Sequence, residues 1–74
     1  MTFEIFKMIV NTLKERNVPK AHVGFTKRDD GLFSAVMCGI VMSSTRGSEY
    51  LNVNWGDGHS SRVKVLEIRR RYGI

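Results

Sequence analysis

Residues 3–16 carry the one long helical period in this chain, and most of the chain beyond Pro19 alternates with a period of two. At about 100° per residue, Phe3, Ile5, Phe6, Ile9, Val10 and Leu13 fall within an arc of about 160°. Glu4, Lys7, Asn11, Lys14 and Glu15 occupy the other side, and Met8 is the one apolar residue outside the stripe. Thr2 is placed to cap the helix N-terminus, and Glu4 in the first turn suits the helix dipole. Asn17 and Pro19 end it, because proline disfavours helical geometry at Val18. A single amphipathic helix followed by strands has one economical solution, in which the helix stripe covers one face of a sheet. The stripe is therefore read as a core face rather than a membrane-surface face.

The strand pattern begins at residues 21–28, with Ala21, Val23 and Phe25 on one face and His22, Gly24 and Thr26 on the other. Asp29-Asp30-Gly31 supplies a hairpin turn, since Asp and Gly tolerate positive φ. Residues 32–42 read as a second strand, apolar on both faces and hence central, with Gly39 marking a bulge or sharp bend. Ser43 to Ser48 has the composition of a loop. In residues 49–55 the alternation is clean: Leu51, Val53 and Trp55 face one way, and Tyr50, Asn52 and Asn54 the other. That pattern favours a buried Trp55. Gly56-Asp57-Gly58-His59 forms the next turn, and a fourth strand starts near Ser61 with Val63 and Val65 inward. After Val65 the alternation breaks, into either a bulge or a helical turn. The expected fold is α+β, a single domain over residues 1–74. Its N-terminal helix packs on a bent antiparallel sheet of about four strands, in the order α-β-β-β-β. A further short strand within residues 66–74 would convert this into an SH3-like barrel.

A chain of 74 residues has room for one small core and little room for a deep catalytic cleft. Its 42% hydrophobic content and seven aromatics exclude a disordered chain. Cys38 is the one cysteine, so no internal disulfide forms and a reducing cytoplasm is the expected compartment. Within its apolar run Cys38 is read as a small buried hydrophobe. No segment approaches the ~20 apolar residues of a membrane span, and the N-terminus lacks the pattern of a signal peptide.

Catalytic chemistry finds little support in the residues. His22 and His59 have no second metal ligand at a suitable spacing, and Asp29, Asp30 and Asp57 are explained by their turns. No phosphate-binding loop, dinucleotide fingerprint or nucleophile elbow is present. A binding module is expected rather than an enzyme, with no cofactor and no metal.

The most distinctive local string is Trp55-Gly56-Asp57-Gly58, between a strand ending in Trp and a Val-rich strand. Over residues 50–68 it resembles the later hairpin of small SH3-like or Tudor-like barrels. That resemblance implies an aromatic cage, which Tyr50, Trp55 and Tyr72 do not assemble in the sequence pattern.

Charge is the strongest functional signal. Residues 62–74 hold five cations and one acid, a net +4, against +2 for residues 1–20 and −1 for residues 21–61. Alternation places Arg62 and Lys64 on one strand face, and Arg69, Arg70 and Arg71 extend the charge. Tyr72 and Ile74 are apolar anchors that would fix these cations as a patch. A Tyr50, Asn52 and Asn54 face beside a basic strand suits single-stranded nucleic acid, the ring stacking on bases and the amides bonding base edges. Lys27, Arg28 and Arg46 are accessory candidates. The partner expected first is nucleic acid, held by salt-sensitive phosphate contacts. The rival is an acidic protein surface, approached by a small regulator or inhibitor. A third option is a homo-oligomer through residues 32–42 or the helix stripe.

Overall fold

A computed structural model describes all of residues 1–74. Helix α1 spans Phe3–Asn17, and its first turn is capped as the sequence implies. The Ile5 amide donates to Thr2 Oγ1 at 3.2 Å, satisfying one of the free N–H groups of the helix N-terminus. Five strands follow: β1 Gly24–Lys27, β2 Leu32–Met37, β3 Ile40–Thr45, β4 Tyr50–Asn54 and β5 Ser60–Lys64. A second helix, α2, covers Val65–Tyr72. Every strand pairs antiparallel with its chain neighbour, giving one open meander in the order β1-β2-β3-β4-β5. No helix is long and apolar enough to cross a membrane.

The fold class is the expected α+β, with five strands in place of about four. The extra strand arises because residues 32–42 are a hairpin rather than one strand. Cys38 and Gly39 form its two-residue loop, with φ of 48° and 78°. Positive φ at both central residues is the geometry whose twist matches a tight hairpin. The sharp bend at Gly39 was legible; the reversal of the chain was not. As a consequence Cys38 is exposed at a turn and is not a buried hydrophobe. The polar residues 43–45 belong to β3 rather than to a loop.

The sheet stays open, with β1 and β5 as edges, so no SH3-like or Tudor-like barrel forms. Residues 66–72 lie within α2 instead of supplying a closing strand. Gly73, at φ 68°, ends α2 in the left-handed conformation, and its amide reaches back to the Arg69 carbonyl. Trp55, expected in the core, lies just beyond the end of β4 and is 48% exposed. It keeps the side of the sheet that its alternation with Leu51 and Val53 assigned, but there it lines an open hollow rather than the closed core.

One face of the sheet holds the core. Phe33, Ala35, Met37, Met42, Leu51 and Val53 are buried there beneath Phe6, Ile9 and Val10 of α1 and Ile68 of α2. Phe3 and Phe6 meet Phe25 and Phe33 with ring centroids 5.2–6.4 Å apart, several of them tilted or edge-on. Such rings dominate a small core, each fully buried side chain contributing about 1.5–3 kcal/mol. Ser44 is the one buried polar side chain, and its hydroxyl donates to the Tyr50 carbonyl at 2.6 Å.

Candidate functional site

The opposite face of the sheet carries no helix. Antiparallel register sets its side chains in rows across the strands. One row runs Thr26, Ser34, Ser43, Asn52, Arg62, and the next runs Gly24, Val36, Val41, Asn54, Ser60. Tyr50 pairs with Lys64 at the end nearest α2. None of the seven acids of the chain lies in a strand. The face therefore presents hydroxyls, amides, two valines, a tyrosine and two cations, with no carboxylate among them.

Tyr50, Asn52, Asn54, Arg62 and Lys64 thus share the face that alternation assigned to them. The Arg62 guanidinium carbon sits 4.1 Å from the Tyr50 ring centroid. Stacked in this way, the pair offers a flat cationic surface to an incoming ring. Beside it is a shallow hollow of about 390 Å³, lined by Val41, Ser43, Asn52, Asn54, Ser60 and Arg62. Asn54 spends its Oδ1 on the Gly56 amide at 3.0 Å, which leaves its amide nitrogen for a partner.

The three consecutive arginines are not brought together. On a helix each successive side chain turns by about 100°. Arg69 lies at the end of the sheet where the start of α1 meets α2, bordering a hollow with Met1, Ile5, Lys64 and Leu66. Its Nε donates to the Ile74 carbonyl at 2.9 Å, which fixes its direction. Arg71 points to the core side of the sheet, at the rim of a separate cavity. Arg70 is exposed between the two. The open face itself therefore carries two cations, Arg62 and Lys64, with Arg69 beside Lys64 at the edge where the helices begin.

The accessory cations lie elsewhere. Lys27 Nζ is 5.7 Å from the Phe3 ring centroid, on the helix side of the sheet. Arg28 is paired with Asp30 at 2.7 Å within its own turn. The Arg46 amide is tied to the Gly31 carbonyl at 2.9 Å, at the far end of the β2–β3 pair.

Asp57 and His59 form a 3.1 Å contact in the β4–β5 turn, and the His59 amide also donates to Asp57 at 2.9 Å. These bonds, the backbone one first, lower the Asp57 pKa below its ordinary value of 3.8. No group of three or more His, Cys, Asp or Glu gathers anywhere as a metal-binding set. Tyr50 and Trp55 end on opposite faces of the sheet, so no aromatic cage joins them.

Sequence reasoning missed Thr26, Ser34 and Ser43 as members of the face. The available signal was the alternation of Met42 and Ser44 against Ser43 and Thr45, hidden by a serine-rich composition. Comparison with protein-family models, curated proteins and solved structures finds no match for this chain.

Proposed function

We propose that the chain is a binding module, not an enzyme, and that its open sheet face binds single-stranded nucleic acid. The observation that carries this reading is the carboxylate-free face on which the stacked Tyr50–Arg62 pair adjoins Asn52, Asn54 and Lys64. Exposed bases stack on aromatic rings and on guanidinium planes, while amides and hydroxyls bond their edges. Lys64 and Arg69 supply phosphate contacts at the end nearest α2. A five-stranded sheet face with no helix over it suits an extended strand of unstacked bases.

The test is fluorescence anisotropy with labelled single-stranded RNA and DNA oligonucleotides and with a DNA duplex. With three phosphate contacts, the salt slope is about −2, so affinity falls about 20-fold between roughly 50 and 200 mM salt. Removing the stacking pair, by Tyr50→Ala or Arg62→Ala, weakens binding by about 1–3 kcal/mol. Arg70→Ala changes affinity by less than about twofold, within the loss of one exposed charge. No binding to any of the oligonucleotides at low salt refutes the reading.

A second reading has its own observation. Val36 and Val41 are directly paired across β2 and β3 and are 49% and 38% exposed. An apolar pair on a face that also carries Arg62 and Lys64 suits an acidic protein surface with an apolar spot, and a partner of that kind would leave the oligonucleotide assay negative.

A further inference from the structure

The helix side of the sheet is incompletely covered. Helix α1 buries Phe6, Ile9 and Val10 over the sheet, whereas the eight-residue α2 contributes only Ile68. Between the end of α1 and α2 lies an open hollow of about 360 Å³ walled by Ile40, Trp55, Val63 and Tyr72, above a floor of core side chains, Met37, Met42, Leu51 and Val53, that are at most 4% exposed. This volume is within the range of small-molecule sites, roughly 300–1,000 Å³. The cavity opens away from the polar sheet face, so it is independent of the nucleic-acid reading.

Its mouth is built from pinned aromatic rings. The Trp55 indole N–H donates to Ser61 Oγ at 3.3 Å, which holds the ring at the lip. Tyr72 lies under the Arg16 guanidinium, 5.4 Å from its ring centroid. The polar rim is Asn17, Glu67 and Arg71, together a donor-acceptor amide, an acceptor and a donor. Glu67 and Arg71 are one helical turn apart yet form no ion pair with each other. Both remain free to bond a guest.

We propose that this cavity binds a planar heteroaromatic small molecule of one or two rings, with hydrogen-bond donors and acceptors on its edge. The rings of Trp55 and Tyr72 select the flat apolar faces. The Asn17, Glu67 and Arg71 rim selects the polar edge.

The test is a titration of ¹⁵N-labelled protein with indole and with adenine, using 1-hexanol as the aliphatic control. At least one aromatic probe should give saturable shifts at Met37, Met42, Leu51 and the Trp55 indole N–H, with hexanol about tenfold weaker or worse. Filling the cavity by Val63→Phe should abolish these shifts while the melting transition is retained. The surface pair Glu67→Gln and Arg71→Met, which removes the rim charges without touching the floor, should weaken adenine binding about tenfold. Absence of shifts at the floor up to the solubility limit of both aromatic probes overturns the proposal. So does hexanol binding as tightly as the rings, or shifts confined to the Asn52 and Asn54 face.

Discussion

The guanidinium of Arg62 covers the ring of Tyr50 at 4.1 Å, although the two residues do not oppose each other in the sheet. Tyr50 pairs with Lys64, and Arg62 pairs with Asn52. The contact is thus diagonal across β4 and β5, a span that long and aromatic side chains can bridge. An exposed cation on a ring contributes about 0.5–1 kcal/mol. A double-mutant cycle of Tyr50→Leu and Arg62→Met, followed by urea unfolding, should return a coupling of that size. Additive single losses would mean that the two side chains hold their positions independently.

The Cys38–Gly39 loop makes a prediction that raises stability. Cys38 holds φ 48°, where most L-residues are strained and asparagine is tolerated. Cys38→Asn should stabilise the protein by about 0.5–1 kcal/mol, read as a shift of the urea midpoint. A lower midpoint would show that the cysteine side chain makes a contribution that its exposure does not suggest.

Gly39 and Gly56 separate strain from clash. Both have positive φ, 78° and 83°, but only at Gly56 would a Cβ meet an atom, the Gly39 carbonyl oxygen at 2.8 Å. Gly39→Ala should cost about 1–2 kcal/mol from backbone strain alone. Gly56→Ala should cost clearly more, because that carbonyl belongs to backbone and cannot swing aside. Equal losses in thermal unfolding would contradict the close approach of the two turns.

Ser44 is 1% exposed and gives its hydroxyl to the Tyr50 carbonyl. Ser44→Ala should lower stability by about 1 kcal/mol, the ordinary net value of such a bond. The loss stays small because Ser48 Oγ also reaches that carbonyl, at 3.4 Å. Circular dichroism melts of Ser44→Ala, Ser48→Ala and the double variant test this. The double variant should lose more than the sum of the singles, since only it leaves the carbonyl without either hydroxyl.

The Asp57 turn is sensitive to acid. Its pKa is depressed by the His59 amide and ring, so the ionised form is favoured in the folded turn. The stabilising effect is therefore complete above the ordinary aspartate value of 3.8 and is lost as pH falls through the lower folded value. Amide exchange at His59, corrected for the intrinsic rate, should lose protection over that acid window and hold steady from there to neutrality. Asp57→Asn should remove the acid transition.

Much of this architecture was legible in the residues, and the misreadings have physical causes. The period of α1 and its Thr2 cap are local signals, and both fix the structure. The β1–β2 hairpin follows from Asp30 and Gly31 in the same way. The β2–β3 hairpin was hidden because cysteine is a rare occupant of a left-handed turn position and the flanks are apolar on both sides. Helix α2 is short and begins at Lys64 without a side-chain cap, so only the broken alternation announced it. Of the candidate site, the Tyr50, Asn52, Asn54, Arg62 and Lys64 face depended on a period of two and was visible. The triple-arginine patch depended on residues 69–71 continuing in one direction, and a helix disperses them. The cavity under Trp55 depends on how far two helices reach over a sheet, which no local pattern encodes.

The strictly sequential meander also has a kinetic side. Each strand finds its partner across a short turn, so the sheet can assemble hairpin by hairpin with little loop-closure entropy. The distant closure is made by the helices, where Arg16 near the end of α1 meets Tyr72 near the end of α2. That seam joins opposite ends of the chain and rests on one fully buried residue of α2, Ile68. It is the place from which the native state should first come undone, as opening that leaves the sheet intact.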